Sequence, residues 1–125
     1  MSLTNGQQAL IKRIVEMTTS ANIMLPNGPG KTAPRYVIQE AGGAQRTRTI
    51  DGVTEAFPEI VVLVETKSKY TTDNNSLVAA LVARFPVNAR FDGVQILDAP
   101  LPRPPLPVVE GIYSVPVIIR GYMSF

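Results

Sequence analysis

The run Ile60-Val61-Val62-Leu63-Val64 constrains this chain more than any other stretch. β-Branched residues pack well on a pleated surface, so the run reads as a strand. Successive side chains of a strand point to opposite faces, so an unbroken apolar run requires both faces to be covered. The segment that follows, a polar turn and then a short amphipathic stretch ending at Phe85, supplies a helix for one face. The other face must be covered by something else, either in this chain or in another copy of it.

A chain of 125 residues holds a single domain with one core. Only 18% of the residues are charged, which leaves a charge-poor surface of the kind that partners cover. The formal net charge of +2 is too small for a concentrated basic face of the nucleic-acid-binding type. The chain has no cysteine, so disulfides and thiolate chemistry are excluded. It has no histidine, which removes the commonest general base together with the commonest transition-metal ligand. No apolar run reaches the length of a membrane-spanning helix, and the N-terminus lacks a signal-peptide pattern, so an intracellular soluble domain is expected.

In chain order, residues 1–5 read as a leader ending in the cap-type residues Thr4 and Asn5. From Gln7 to about 18–20 an amphipathic helix follows, with Leu10, Ile14 and Met17 on its stripe and Ile11 and Val15 widening it. Residues 22–34 read as a loop. Its Gly30-Lys31-Thr32 matches the tail of a phosphate-binding loop, but Leu25 stands where the first glycine belongs, and Pro34 blocks the helix that would receive the phosphate.

Residues 35–40 and 45–50 read as two short strands joined at Gly42 and Gly43 into a hairpin. Arg46 and Arg48 share one face of the second strand. They could grip phosphates or a partner's carboxylates, or serve as solvated charges that discourage edge pairing. Residues 51–58 read as a connection and 59–69 as the long strand, buried at its start and wet at its end.

Asp73, Asn74, Asn75 and Ser76 are cap candidates for a helix whose stripe is Val78, Leu81, Val82 and Phe85, ended by Pro86. Residues 94–97 read as a short strand. Residues 99–107 carry five of the 11 prolines. They read as a stiff extended connection, with docking into an aromatic-lined groove as the alternative. Residues 111–125 form the last strand, in which Pro116 is expected at a bulge or on a sheet edge. Arg120 shares a face there with Ile118 and Tyr122, and a buried arginine at that place would need a carboxylate partner.

The order α-β-β-β-α-β-β with short turns predicts an α+β domain: a mainly antiparallel or mixed sheet of about five strands, with both helices on one face. The carboxylates are scattered, and no nucleophile, metal-ligand or cofactor motif occurs, so an enzyme and a bound cofactor are not expected.

The N-terminal helix, the hairpin at 35–50, the strand Ile60–Val64 leading to the helix at 77–85, and the closing strand Tyr113-Ser-Val-Pro-Val-Ile-Ile119 together resemble the phage tail terminator-like family. The resemblance covers most of the chain. It implies a structural role without catalytic residues: a homo-oligomeric ring, usually a hexamer, that caps the finished tail tube, ends its polymerisation and presents a surface for a head-completion protein. Its partners would be further copies of itself, the tail tube protein and the head-completion protein. It would assemble in the host cytoplasm and then reside in the virion tail. A ring needs two different patches on each subunit. Arg46, Arg48, Arg120, Tyr122 and Arg103 are the candidate interface residues, and the loops 22–34 and 99–107 are candidates for contact with neighbouring rings. The alternative from another class is a nucleic-acid-binding α+β domain using the Arg46 and Arg48 face. Tyr36 is the one aromatic near that hairpin, whereas sheet-based binders stack several bases.

Overall fold

A computed structural model describes residues 3–47, 52–67 and 71–124, and the side chains of residues 42 and 44–47 are left aside. The elements are α1 (Leu3–Val15), β1 (Asn22–Met24), β2 (Arg35–Thr47), β3 (Thr54–Lys67), α2 (Thr71–Arg84), β4 (Arg90–Phe91), β5 (Val94–Gln95), β6 (Leu101–Pro102), β7 (Ile112–Arg120) and β8 (Met123–Ser124).

β3 is the centre of the sheet, whose order is β1-β2-β3-β7-β6, with β8 also pairing β3. β1 runs parallel to β2, and the other pairings in this sheet are antiparallel. β4 and β5 form a separate small hairpin. The class is α+β, as expected, with both helices on one face of a mixed sheet.

Strand periodicity divides β3 cleanly. Ile60, Val62 and Val64 are fully buried, while Val61 and Leu63 are half-buried. The buried set joins Tyr36, Ile38, Val117 and Ile119 from the flanking strands with Leu10, Ile11 and Ile14 of α1 and Leu81 and Phe85 of α2. Each such aliphatic side chain contributes about 1.5–3 kcal/mol by leaving water. The helix ends are locked to each other. Arg13 Nε donates to the Arg84 carbonyl at 2.8 Å, Arg84 Nε donates to the Arg13 carbonyl at 2.9 Å, and the Arg13 guanidinium lies 4.6 Å from the Phe91 ring centre. Two cations thus satisfy carbonyls at helix C-termini, where the dipole favours positive charge.

Several boundaries differ from the sequence reading. α1 begins at Leu3 and ends at Val15, so it includes Leu3, Thr4 and Asn5 of the stretch read as leader and cap, and Val15 is 48% exposed rather than on the buried stripe. A three-residue strand, β1, occupies the start of the loop at 22–34.

Where a hairpin is expected at 35–50, residues 35–47 form one strand, β2, whose register shifts between Glu40 and Gly43, and 48–50 lie outside the described residues. The glycines make a bulge, not a turn. Gly43 has φ +122°, and a Cβ there would stand 2.2 Å from the Phe57 carbonyl oxygen, so no side chain fits. The segment read as a connection, 51–58, contributes residues 54–58 to β3, and Pro58 lies opposite the bulge.

α2 starts earlier than expected, at Thr71, and Asn74 is a buried anchor inside it instead of a cap. The turn Asp92-Gly93, with φ of 47° and 82°, joins β4 to β5 in the manner of a two-residue hairpin. Pro116 sits in neither a bulge nor an edge strand, because β7 lies between β3 and β6. Its carbonyl accepts from the Arg103 N–H on the β6 side, so its missing N–H also faces β6 and removes no bond to β3.

Candidate functional site: an open sheet face and a proline edge

The face of the sheet opposite the helices is built in rows across β2, β3 and β7. Arg35, Glu65 and Ser114 form one row; Val37, Leu63 and Pro116 the next; Gln39, Val61 and Ile118 the third; Glu59 and Arg120 the fourth. The two middle rows make a half-buried band of Val37, Leu63, Pro116, Val61 and Ile118. Among the described residues no helix covers it.

Polar rows bound the band. Arg35 Nε donates to Glu65 Oε1 at 2.5 Å, and the Ser114 hydroxyl donates to Glu65 Oε2 at 2.8 Å. At the other end Arg120 donates to Glu59. The Arg120 side chain is 63% exposed, so solvent screens this pair and it adds little to stability. Arg120 is therefore exposed, and it finds its carboxylate in its own chain.

Beyond the last row, Tyr122 leans on Phe57 with ring centroids 5.5 Å apart. Its hydroxyl lies 3.4 Å from Glu55 Oε1, at the outer limit of a hydrogen bond. Backbone bonds between Tyr122 and Gln95 in both directions fix this end of the face to the small hairpin.

The proline-rich segment is a sheet edge rather than a free connection. Leu101 and Pro102 pair with Ile118 and Val117, and the Arg103 and Leu106 amides donate to the Pro116 and Ser114 carbonyls at 2.8 and 2.9 Å. From 102 to 107 every backbone N–H is therefore either missing, as in Pro102, Pro104, Pro105 and Pro107, or spent on β7. An outside strand cannot add there, which is how natural sheets protect an edge. Residues 101–110 are all exposed.

The candidate interface residues separate accordingly. Arg120 and Tyr122 come together on the open face, and Arg103 stands on the proline edge. Arg46 is in register with Glu55 on β3. Arg48 lies outside the described residues. The sequence reading left one face of the Ile60–Val64 strand to be covered, as the band shows, but it singled out neither Phe57 nor Glu59. The period-2 alternation of 55–61 carried the signal, but Pro58 masked it.

Tyr36, the one aromatic near the Arg46 and Arg48 face of the nucleic-acid reading, is fully buried on the helix side, and its hydroxyl donates to the Leu77 carbonyl at 2.7 Å. Arg35 and Arg120 on the open face are each held by a glutamate, so these two add little free positive charge. The sequence Gly30-Lys31-Thr32 leads into β2 and not into a helix, so no helix N-terminus stands there to receive a phosphate. A cleft of about 460 Å³ lies between the start of α2 and the start of β2; Thr66, Lys67, Asp73 and Leu77 are among its walls, and among the described residues its charged groups are one cation and one carboxylate. Among the described residues no cluster of metal-ligating side chains occurs, and no helix is long and apolar enough to cross a membrane.

No known family profile matches the chain, and no curated protein matches it in sequence. Solved structures do match it in fold. One superposes with a TM-score of 0.67 at 19% identity, over 100% of this chain and 96% of that one. Another is a chain from the virion of a native gene transfer agent particle, with a TM-score of 0.62 at 13% identity, over 95% of this chain and 94% of that one. At these identities the likeness is one of fold, and it extends nearly end to end in both directions.

Proposed function

We propose that the protein is a structural, non-enzymatic component of a phage-like virion, and that it closes the end of a tail tube as a homo-oligomeric ring. In that role it ends polymerisation of the tube protein and offers the surface to which a head-completion protein joins. It assembles in the host cytoplasm and remains in the virion tail. The observation that carries the reading is the near-complete fold match to a chain of a gene transfer agent virion. The apolar band on the open sheet face supports assembly, because a half-buried stripe bounded by polar rows is the form of a protein–protein contact surface.

The test is tube growth. Adding the protein in molar excess to polymerising tail tube protein should arrest elongation and leave a ring-shaped density at one end of each tube in electron micrographs. Tubes that reach the same length distribution with and without the protein would overturn the capping role.

A further inference from the structure

We propose that the proline edge of one copy seats on the Phe57–Tyr122 end of the open sheet face of the next copy, and that this is the head-to-tail contact of the ring. The inference rests on the ring reading above and names the two patches that such a contact requires.

The proline edge is the most conspicuous exposed apolar feature of the described residues. Leu101, Leu106, Val108 and Val109 are 43–65% exposed within ten residues. Contiguous apolar exposure of this kind marks a binding surface. The chemistry of the edge narrows the occupant. It offers backbone carbonyls but no free N–H from 102 to 107, so its partner must meet it with side chains and supply donors. Extended proline-rich segments meet that condition on aromatic surfaces, where rings pack on prolines and a ring hydroxyl or N–H donates to a carbonyl.

The chain carries such a surface itself. Phe57 and Tyr122 are half-buried, adjoin Val61 and Ile118 through the Glu59–Arg120 row, and place a phenolic donor at their rim. At 3.4 Å from Glu55, the Tyr122 hydroxyl has a weak contact to give up.

Charge agrees with the same pairing. Arg103 is exposed and makes no ion pair among the described residues. The aromatic patch is bounded by Glu59, whose side chain is 21% exposed. A carboxylate has about four lone-pair sites, so Glu59 can accept from Arg103 of a neighbour while still holding Arg120. A cation centred in an apolar ridge opposite a carboxylate beside two aromatics is the composition of an interface hot spot.

Because the chain lacks cysteine, single introduced thiols report proximity without background. Pro104→Cys and Ser124→Cys place one thiol on each patch at exposed positions, Ser124 being in register with Glu55. The two variants, mixed at a concentration where light scattering reads an oligomer and then oxidised, should form a disulfide-linked dimer that neither yields alone. Arg103→Glu should raise the concentration needed for assembly tenfold or more while leaving the thermal melt of the monomer unchanged.

An oligomer that forms without the mixed cross-link would overturn this contact and leave the ring standing. Equally strong self-linkage of Pro104→Cys would do the same, since it means edge meets edge. Absence of any oligomer, with or without tube protein, would overturn both.

Discussion

At the residue scale, Asn74 does more than its cap-like neighbours suggest. It is fully buried, and its Nδ2 lies 2.8 Å from the Val64 carbonyl, 3.3 Å from Thr66 Oγ1 and 3.3 Å from the Tyr113 carbonyl. It therefore ties the first turn of α2 to both β3 and β7. Asn74→Leu leaves buried carbonyls without this donor and should cost about 1–3 kcal/mol, read as a lower urea midpoint at unchanged slope.

Tyr36 gives a second residue-scale expectation. Burial pushes its phenol above the ordinary value of 10, and a hydrogen bond with Thr19 pulls it partly back. A raised folded-state value means its contribution is fully present below pH 10 and is lost as pH climbs through the folded value. Stability should therefore fall in the alkaline range above pH 10, and Tyr36→Phe should flatten that fall. Chemical denaturation between pH 8 and 11 checks it. The paired Arg13 and Arg84 act differently: burial, and then the nearby Arg84 cation, lower the value of Arg13 below that of a free guanidinium, so it is held there by its carbonyl and ring contacts against those costs.

At the element scale, two backbone devices shape the sheet. The Gly43 bulge lets β2 run on past Glu40 to pair with residues 54–58. Gly43→Ala combines a positive φ with a Cβ 2.2 Å from the Phe57 oxygen, and it should cost about 1–3 kcal/mol or more in thermal unfolding. The proline edge is the other device. Replacing Pro102 and Pro104 by Thr restores two edge donors, and the double variant should gain thioflavin-positive aggregation that the parent chain lacks.

These same devices explain what the sequence could and could not reveal. The Ile60–Val64 strand, the helix ending at Phe85 and the one-sided helical layer were legible because periodicity and burial are both local. Gly42-Gly43 was not, because a glycine pair serves a turn and a bulge equally well and the choice is made by β3 across the ladder. Pro58 hid the start of β3 for a related reason, since whether a strand tolerates a proline is decided by what lies across the ladder, here the bulge at Gly43. Asp92-Gly93 carries a hairpin signal in the sequence itself, because the dipeptide suits the two-residue turn between β4 and β5. On the open face, the common side of Arg120 and Ile118 follows from alternation along β7. The cross-strand partners Glu59 and Phe57 depend on register, which no single strand contains.

At the scale of the whole molecule, the fold is two layers with one face left unfinished. Helices cover the buried row of β3, and the opposite side keeps an apolar band between two ion-pair rows. That arrangement, on a chain sharing its fold with a gene transfer agent virion component, underlies the assembly reading. Its central claim is that the chain completes itself with further copies on a tube end. The most direct measurement is mass in solution by light scattering across a concentration series, with and without polymerised tail tube protein. The account predicts a closed oligomer of discrete mass that forms at lower concentration when tubes are present. A monomer at every concentration, indifferent to the tube, would contradict it.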